Sequence, residues 1–126
     1  MNALIVDDSP AMRAFIRRVL DLCGLDIDAV FEACNGREAL EFLRAQPVDL
    51  ALCDINMPEM TGEGLLTAMS DEGLERRTCV VIVSSDATST RVARMLQLGA
   101  RGYLKKPFPP EALRETLDRA LSVPYA

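Results

Sequence analysis

Asp7 and Asp8 stand side by side at the end of the apolar run Ala3–Val6, in the stretch LIVDDSP, although Ser9 and Pro10 already supply the turn that follows. Three further chemistry-bearing positions occur in the same place relative to an apolar run. Asp54 follows Leu50–Cys53, Ser84 follows Val80–Val83, and Lys105 with Lys106 follow Gly102–Leu104. Two unit charges about 4 Å apart interact by roughly 4 kcal/mol at an effective dielectric of about 20, so three carboxylates gathered at one point require a cation. Oxygen donors without histidine or thiolate select a hard divalent ion, Mg²⁺ above all, which keeps coordination positions for water and a phosphoryl group. Metal-holding acids, a central carboxylate, a hydroxyl and an ammonium group are together the parts of a phosphoryl acceptor. Singly, each residue has a plainer use. Asp8 favours the positive end of the helix after it, Asp54 is a turn residue ahead of Pro58, Ser84 satisfies a strand end, and Lys106 is a solvated charge. Their common position at strand ends is what selects the chemistry.

The elements that must position them follow from the pattern of the chain. The runs Ala3–Val6, Ala29–Ala33, Leu50–Cys53, Val80–Val83 and Gly102–Leu104 alternate with helical segments: Pro10–Leu22, Gly36–Ala45, about Gly62–Met69, Thr88–Leu98 and Pro110–Leu121. Phe15, Val19 and Leu22 recur at helical spacing. Ser9 before Pro10 reads as N-cap and first helical residue, Asn35 with Glu38 as a capping box, and Gly24 and Gly99 as helix stops. Five strand–helix units predict an α/β, flavodoxin-like (βα)5 fold, a five-stranded parallel sheet in the order 2-1-3-4-5 with helices on both faces. In that order the first and third strands are neighbours, about 4.8 Å apart, and ligands bind in the crevice beyond their carboxyl ends. Lys106 lies two strands from Asp54, about 10 Å at the backbone, a gap that a lysine side chain spans.

Composition narrows the classes. The 126 residues are 49% hydrophobic and 26% charged, as expected of one globular domain over residues 1–126. The net charge of −5, without a block of Lys or Arg, argues against direct nucleic-acid binding. No apolar run reaches the length of a membrane span, so a cytoplasmic protein with no membrane association is expected. Cys23, Cys34, Cys53 and Cys79 form no C-x-x-C pair and read as reduced thiols, mostly buried. Histidine is absent, which excludes a Ser-His or Cys-His catalytic pair and any phosphohistidine of the chain's own. Arg13, Arg17 and Arg18 read as a solvated helix face rather than a docking surface.

From Asn2 to about Leu121 the chain resembles the receiver domains of two-component response regulators. The resemblance rests on LIVDDSPAMR, LALCDINMPEMTG, VVIVSSDA and GARGYLKKPF, in that order and spacing. It implies Asp54 as the phospho-accepting aspartate, Asp7 and Asp8 as the Mg²⁺-binding pair, and Asn56 as a metal ligand through its main-chain carbonyl. Ser84 resembles the hydroxyl that binds the phosphoryl group. Lys106, rather than Lys105, matches the family lysine because it directly precedes a proline, and a cis Lys106–Pro107 bond is expected. Tyr103 matches the aromatic switch position. Ser84 stands where threonine is commoner, Ser85 replaces the usual alanine, and Thr61 sits where aspartate is common; the hydroxyl and the small side chain are retained.

The resemblance implies Mg²⁺-dependent transfer of a phosphoryl group to Asp54 from a sensor histidine kinase or histidine phosphotransfer protein. The surface formed by the fourth helix, fifth strand and fifth helix then changes shape for a downstream protein target. The chain assists its own phosphorylation and dephosphorylation and is not a turnover enzyme. It reads as a stand-alone regulator or a phosphorelay intermediate. One rival is a Mg²⁺-dependent phosphatase with an aspartate nucleophile, which needs a second acid where Asn56 stands. A flavodoxin-like cofactor binder is a second rival and a poor fit, because it needs a Ser/Thr/Gly-rich phosphate loop after the first strand where this chain presents two carboxylates.

Overall fold

The computed structural model describes residues 1–85 and 89–122. Strands β1 (Asn2–Val6), β2 (Ala29–Ala33), β3 (Leu50–Cys53), β4 (Cys79–Ser84) and β5 (Gly102–Lys105) alternate with helices α1 (Pro10–Leu22), α2 (Gly36–Ala45), α3 (Gly62–Asp71), α4 (Ser89–Gln97) and α5 (Pro110–Leu121). The strands form one parallel sheet in the order β2-β1-β3-β4-β5. This is the flavodoxin-like arrangement expected from the alternation of runs. The expected start of α4 at Thr88 lies outside the described residues. A short 3-10 helix at Leu74–Arg76, between α3 and β4, has no counterpart in the sequence reading.

Strand side chains alternate between the two faces, and the core divides accordingly. Leu4, Val6, Ala51, Cys53, Val80 and Ile82 pack with Leu40, Leu43, Leu65, Met69 and Met95 under α2, α3 and α4. Ala3, Ile5, Leu50, Leu52, Val81 and Val83 pack with Ile16, Leu20, Leu113 and Leu117 under α1 and α5. Because both faces of β1, β3 and β4 are covered, those strands read as continuous apolar runs. Cys23, Cys53 and Cys79 are buried as free thiols, and Cys34 is half-buried.

The helix ends are set by the residues expected to set them. The Ser9 hydroxyl accepts the Met12 N–H at 3.2 Å, and the Asn35 side chain accepts the Glu38 N–H at 2.8 Å. Glu38 reaches back one residue further than a capping box requires, accepting the Cys34 N–H at 3.2 Å. Gly24 and Gly99 adopt φ of 82° and 118°, the left-handed conformation that ends a helix. Thr61 caps α3 through the Gly64 N–H at 3.2 Å. These caps start α1, α2 and α3 just beyond the carboxyl edge of the sheet, where the chemistry-bearing residues collect. No helix among the described residues is long and apolar enough to cross a membrane.

Candidate functional site

Asp7 and Asp54 leave neighbouring strands at the same level. The pairing of Val6 with Cys53 ends the β1–β3 ladder, and the Asp54 N–H continues it to Val6 O at 2.9 Å. The Asp7 N–H bonds Ala33 O at the end of β2, at 3.1 Å. Asp7 is buried, Asp54 is 8% exposed, and Asp8 faces solvent. One carboxylate oxygen from each of the three lies within 4.8 Å of the others. The donors are all oxygen, two are screened from water and one is open, which suits a hard divalent cation reached from solvent.

Besides its N–H bond to β2, Asp7 is held by three further groups. Its Oδ1 accepts the Ser9 N–H at 2.9 Å, its Oδ2 accepts Lys106 Nζ at 3.0 Å, and its carbonyl accepts Arg13 Nη1 at 2.6 Å. Lys106 Nζ also stands 3.8 Å from Asp54 Oδ2. The lysine is delivered by the end of β5, where its N–H bonds Ser84 O at 3.0 Å and a cis bond joins it to Pro107. Lys105, its rival, is exposed. Ser84 is buried at the end of β4, beside Lys105 in the strand register.

Burial pushes the Asp54 carboxyl above its ordinary pKa, opposed by the Lys106 ammonium and assisted by Asp7. The main-chain N–H groups of Ile55, at 2.8 Å from Oδ1, and of Asn56 pull in the opposite direction. A partly desolvated carboxylate beside an ammonium has the chemistry that a nucleophilic acceptor needs.

Tyr103 is half-buried against the core on the face covered by α2, α3 and α4, with its hydroxyl covered. The three arginines of α1 also differ from a uniformly solvated face. Arg13 Nε and Arg17 Nη2 each lie 2.9 Å from the Glu32 carboxylate on β2, and Arg18 alone of the three is exposed. Glu32 sits on an edge strand facing α1, so it supplies the counter-ion that draws Arg13 onto Asp7. Two arginines at the site were not read from the sequence. In the sequence Arg13 reads as part of a solvated helix face, and Arg91 of α4, which donates to the Asn56 Oδ1 at 2.8 Å, has no local signal at all.

The family description "Response regulator receiver domain" matches residues 3–118. Similar proteins include the chemotaxis protein CheY homolog of Campylobacter jejuni, 34% identical over 122 residues, covering 96% of this chain and 92% of that one. The two-component response regulator ORR5 of Oryza sativa is 37% identical over 121 residues, covering 95% and 88%. The solved structure of Vibrio cholerae chemotaxis protein CheY4 superposes with a TM-score of 0.83 at 32% identity, over 95% of this chain and 98% of that one.

Proposed function

The chain belongs to the response regulator receiver domain family, and on that basis we propose that residues 1–126 form one phospho-accepting receiver with Asp54 as the acceptor. The observation that supports this most directly is the convergence of Asp7, Asp8 and Asp54 within 4.8 Å, with Lys106 Nζ 3.0 Å and 3.8 Å from Asp7 and Asp54.

A carboxylate oxygen of Asp54 attacks the phosphorus of a partner's phosphohistidine. The new O–P bond forms as the P–N bond breaks, and the imidazole nitrogen leaves with the electron pair. Lys106 swings from Asp7 onto a phosphoryl oxygen, where its charge offsets the charge that builds there. Mg²⁺, held by Asp7, Asp8, Asp54 and the main-chain carbonyl of Asn56, would supply further positive charge to the phosphoryl oxygens when bound. The Ser84 hydroxyl donates to another phosphoryl oxygen, which draws the end of β4 toward Asp54. Water later cleaves the acyl phosphate and releases inorganic phosphate.

The movement of β4 biases Tyr103 and the surface of α4, β5 and α5, and a downstream protein reads that surface. A ligand shifts such an equilibrium only by its differential interaction with the two states, and the Ser84 hydrogen bond is that difference here. The donor is a sensor histidine kinase or a histidine phosphotransfer protein, because this chain contains no histidine. Transfer from a phosphorylated histidine domain, followed by borohydride reduction of the acyl phosphate, tests the assignment. It should convert residue 54 to homoserine, and reduction at any other carboxylate overturns it.

A further inference from the structure

The loop after β3 is anchored by the core on its inner side. Ile55 and Met57 are both buried, at 0% and 7% exposure, while Asn56 between them faces outward. The outward side chain is grasped from α4: Arg91 Nη1 donates to Asn56 Oδ1 at 2.8 Å. The other nitrogen of the same guanidinium donates to Glu63 Oε1 in the first turn of α3, at 2.9 Å. A planar guanidinium thus joins three elements: the loop that leaves Asp54, the start of α3 and the start of α4.

We propose that Arg91 is a positioning residue for the acceptor site: by clasping Asn56 and Glu63 together it fixes the peptide that follows Asp54. The proposal rests on the reading of Asp54 as acceptor and of the Asn56 carbonyl as a metal ligand. The Asn56 N–H favours the ionised Asp54 carboxylate, so the two peptide units on either side of the Asn56 Cα both serve the site. With Ile55 and Met57 pinned inward, the remaining freedom is rotation of the Asn56 peptide, and the clasp removes it. Groups that orient a metal ligand from outside typically contribute about 10- to 100-fold in affinity when lost.

Charge alone makes the opposite forecast. Arg91 is a cation near a cation site, so its removal would tighten Mg²⁺ binding by simple Coulomb repulsion. Glu63 at 2.9 Å offsets most of that field, which leaves geometry as the dominant contribution. Because the clasp starts on α4, it also links the crevice to the surface read by partners, and that linkage is reciprocal.

The test is Mg²⁺ titration followed by NMR of the Ile55, Asn56 and Met57 amides, in the parent and in variants. Arg91→Ala with Glu63→Ala removes both charges together and should weaken Mg²⁺ roughly tenfold, the lower end of the range for outer partners. Arg91→Lys keeps the charge but cannot bridge both partners, and should show part of the same loss. In an Asn56→Ala background the paired substitution should cost nothing further, since the clasp has nothing left to hold. Unchanged or tighter Mg²⁺ binding in both variants, or a full additional loss in the Asn56→Ala background, overturns the proposal. A parent protein that shows no Mg²⁺ response overturns the acceptor reading beneath it, and the proposal falls with it.

Discussion

The Lys106 ammonium is closer to Asp7, at 3.0 Å, than to Asp54, at 3.8 Å. In this state the lysine is chiefly the counter-ion of an acid assigned to the metal, and only secondarily a neighbour of the acceptor. Both side chains are largely screened from water, so the pair is stronger than a surface ion pair. A metal held by Asp7 would therefore compete with Lys106 for that carboxylate.

Removal of the lysine charge should accordingly strengthen metal binding while impairing phosphoryl acceptance. Lys106→Met is expected to tighten Mg²⁺ at least roughly tenfold, since one unit charge about 4 Å away is worth several kcal/mol at intermediate dielectric. The rate of loading from a phosphodonor should fall in the same variant. Calorimetric Mg²⁺ affinities of parent and variant decide it; unchanged or weaker binding contradicts the competition.

Asp54 makes a pH-dependent contribution to stability, and its sign is fixed by its raised pKa. Below the ordinary value of 3.8 the group is neutral in both the folded and unfolded chain and has no effect. As pH rises through the folded-state pKa, the unfolded chain ionises first and the fold loses stability. Asp54→Asn should therefore raise the thermal midpoint at pH 7 in EDTA, roughly by a few degrees, with the difference shrinking on acidification. Parallel stability curves for the two proteins across that range would refute the burial argument.

Gly62 opens α3 against the back of the site. A Cβ there would meet Met95 Cε at 2.9 Å, Asp54 O at 3.0 Å and Ile55 Cα at 3.1 Å. The methionine can give way, but the two backbone atoms belong to the acceptor loop. Gly62→Ala is expected to cost about 1–3 kcal/mol, read by urea denaturation, and to shift the Ile55 amide. A variant as stable as the parent would show that the loop relaxes freely.

Much of this was legible in the chain because it is local. Apolar runs bounded by turns locate every strand to within a residue or so, and Ser9, Asn35, Gly24 and Gly99 mark helix ends through contacts with their own neighbours. Asp7, Asp8, Asp54 and Lys106 were found together because a parallel sheet in the order 2-1-3-4-5 brings strand ends to one edge. The pairing inside that group was not readable, since whether Lys106 leans on Asp7 or Asp54 depends on a difference of less than 1 Å. The grip of Arg13 on the Asp7 carbonyl needs Glu32 as a cross-strand anchor. Arg91 reaches a residue 35 positions earlier in the chain. The 3-10 helix at Leu74–Arg76 is too short to leave a period.

Ser84 should separate acceptance from response. Ser84→Ala retains the acceptor, the acids and the lysine, so it should still be phosphorylated at Asp54. It lacks the hydrogen bond that draws β4 inward, and amide shifts at Tyr103 and along α4 on activation should shrink several-fold. Because Tyr103 is already half-buried, the expected change is a repacking against α4 rather than a swing in from solvent. Parent-sized shifts in Ser84→Ala would remove the hydroxyl from the mechanism.

The claim on which all else depends is that Asp54 accepts the phosphoryl group. Intact-mass spectrometry after incubation with acetyl phosphate and Mg²⁺ measures it directly. The parent should gain the mass of one phosphoryl group, lose it again on standing, and gain none when Mg²⁺ is chelated. Asp54→Asn should show no adduct under the same conditions. An undiminished adduct in Asp54→Asn, or a parent that stays unmodified at saturating donor and Mg²⁺, would contradict the account.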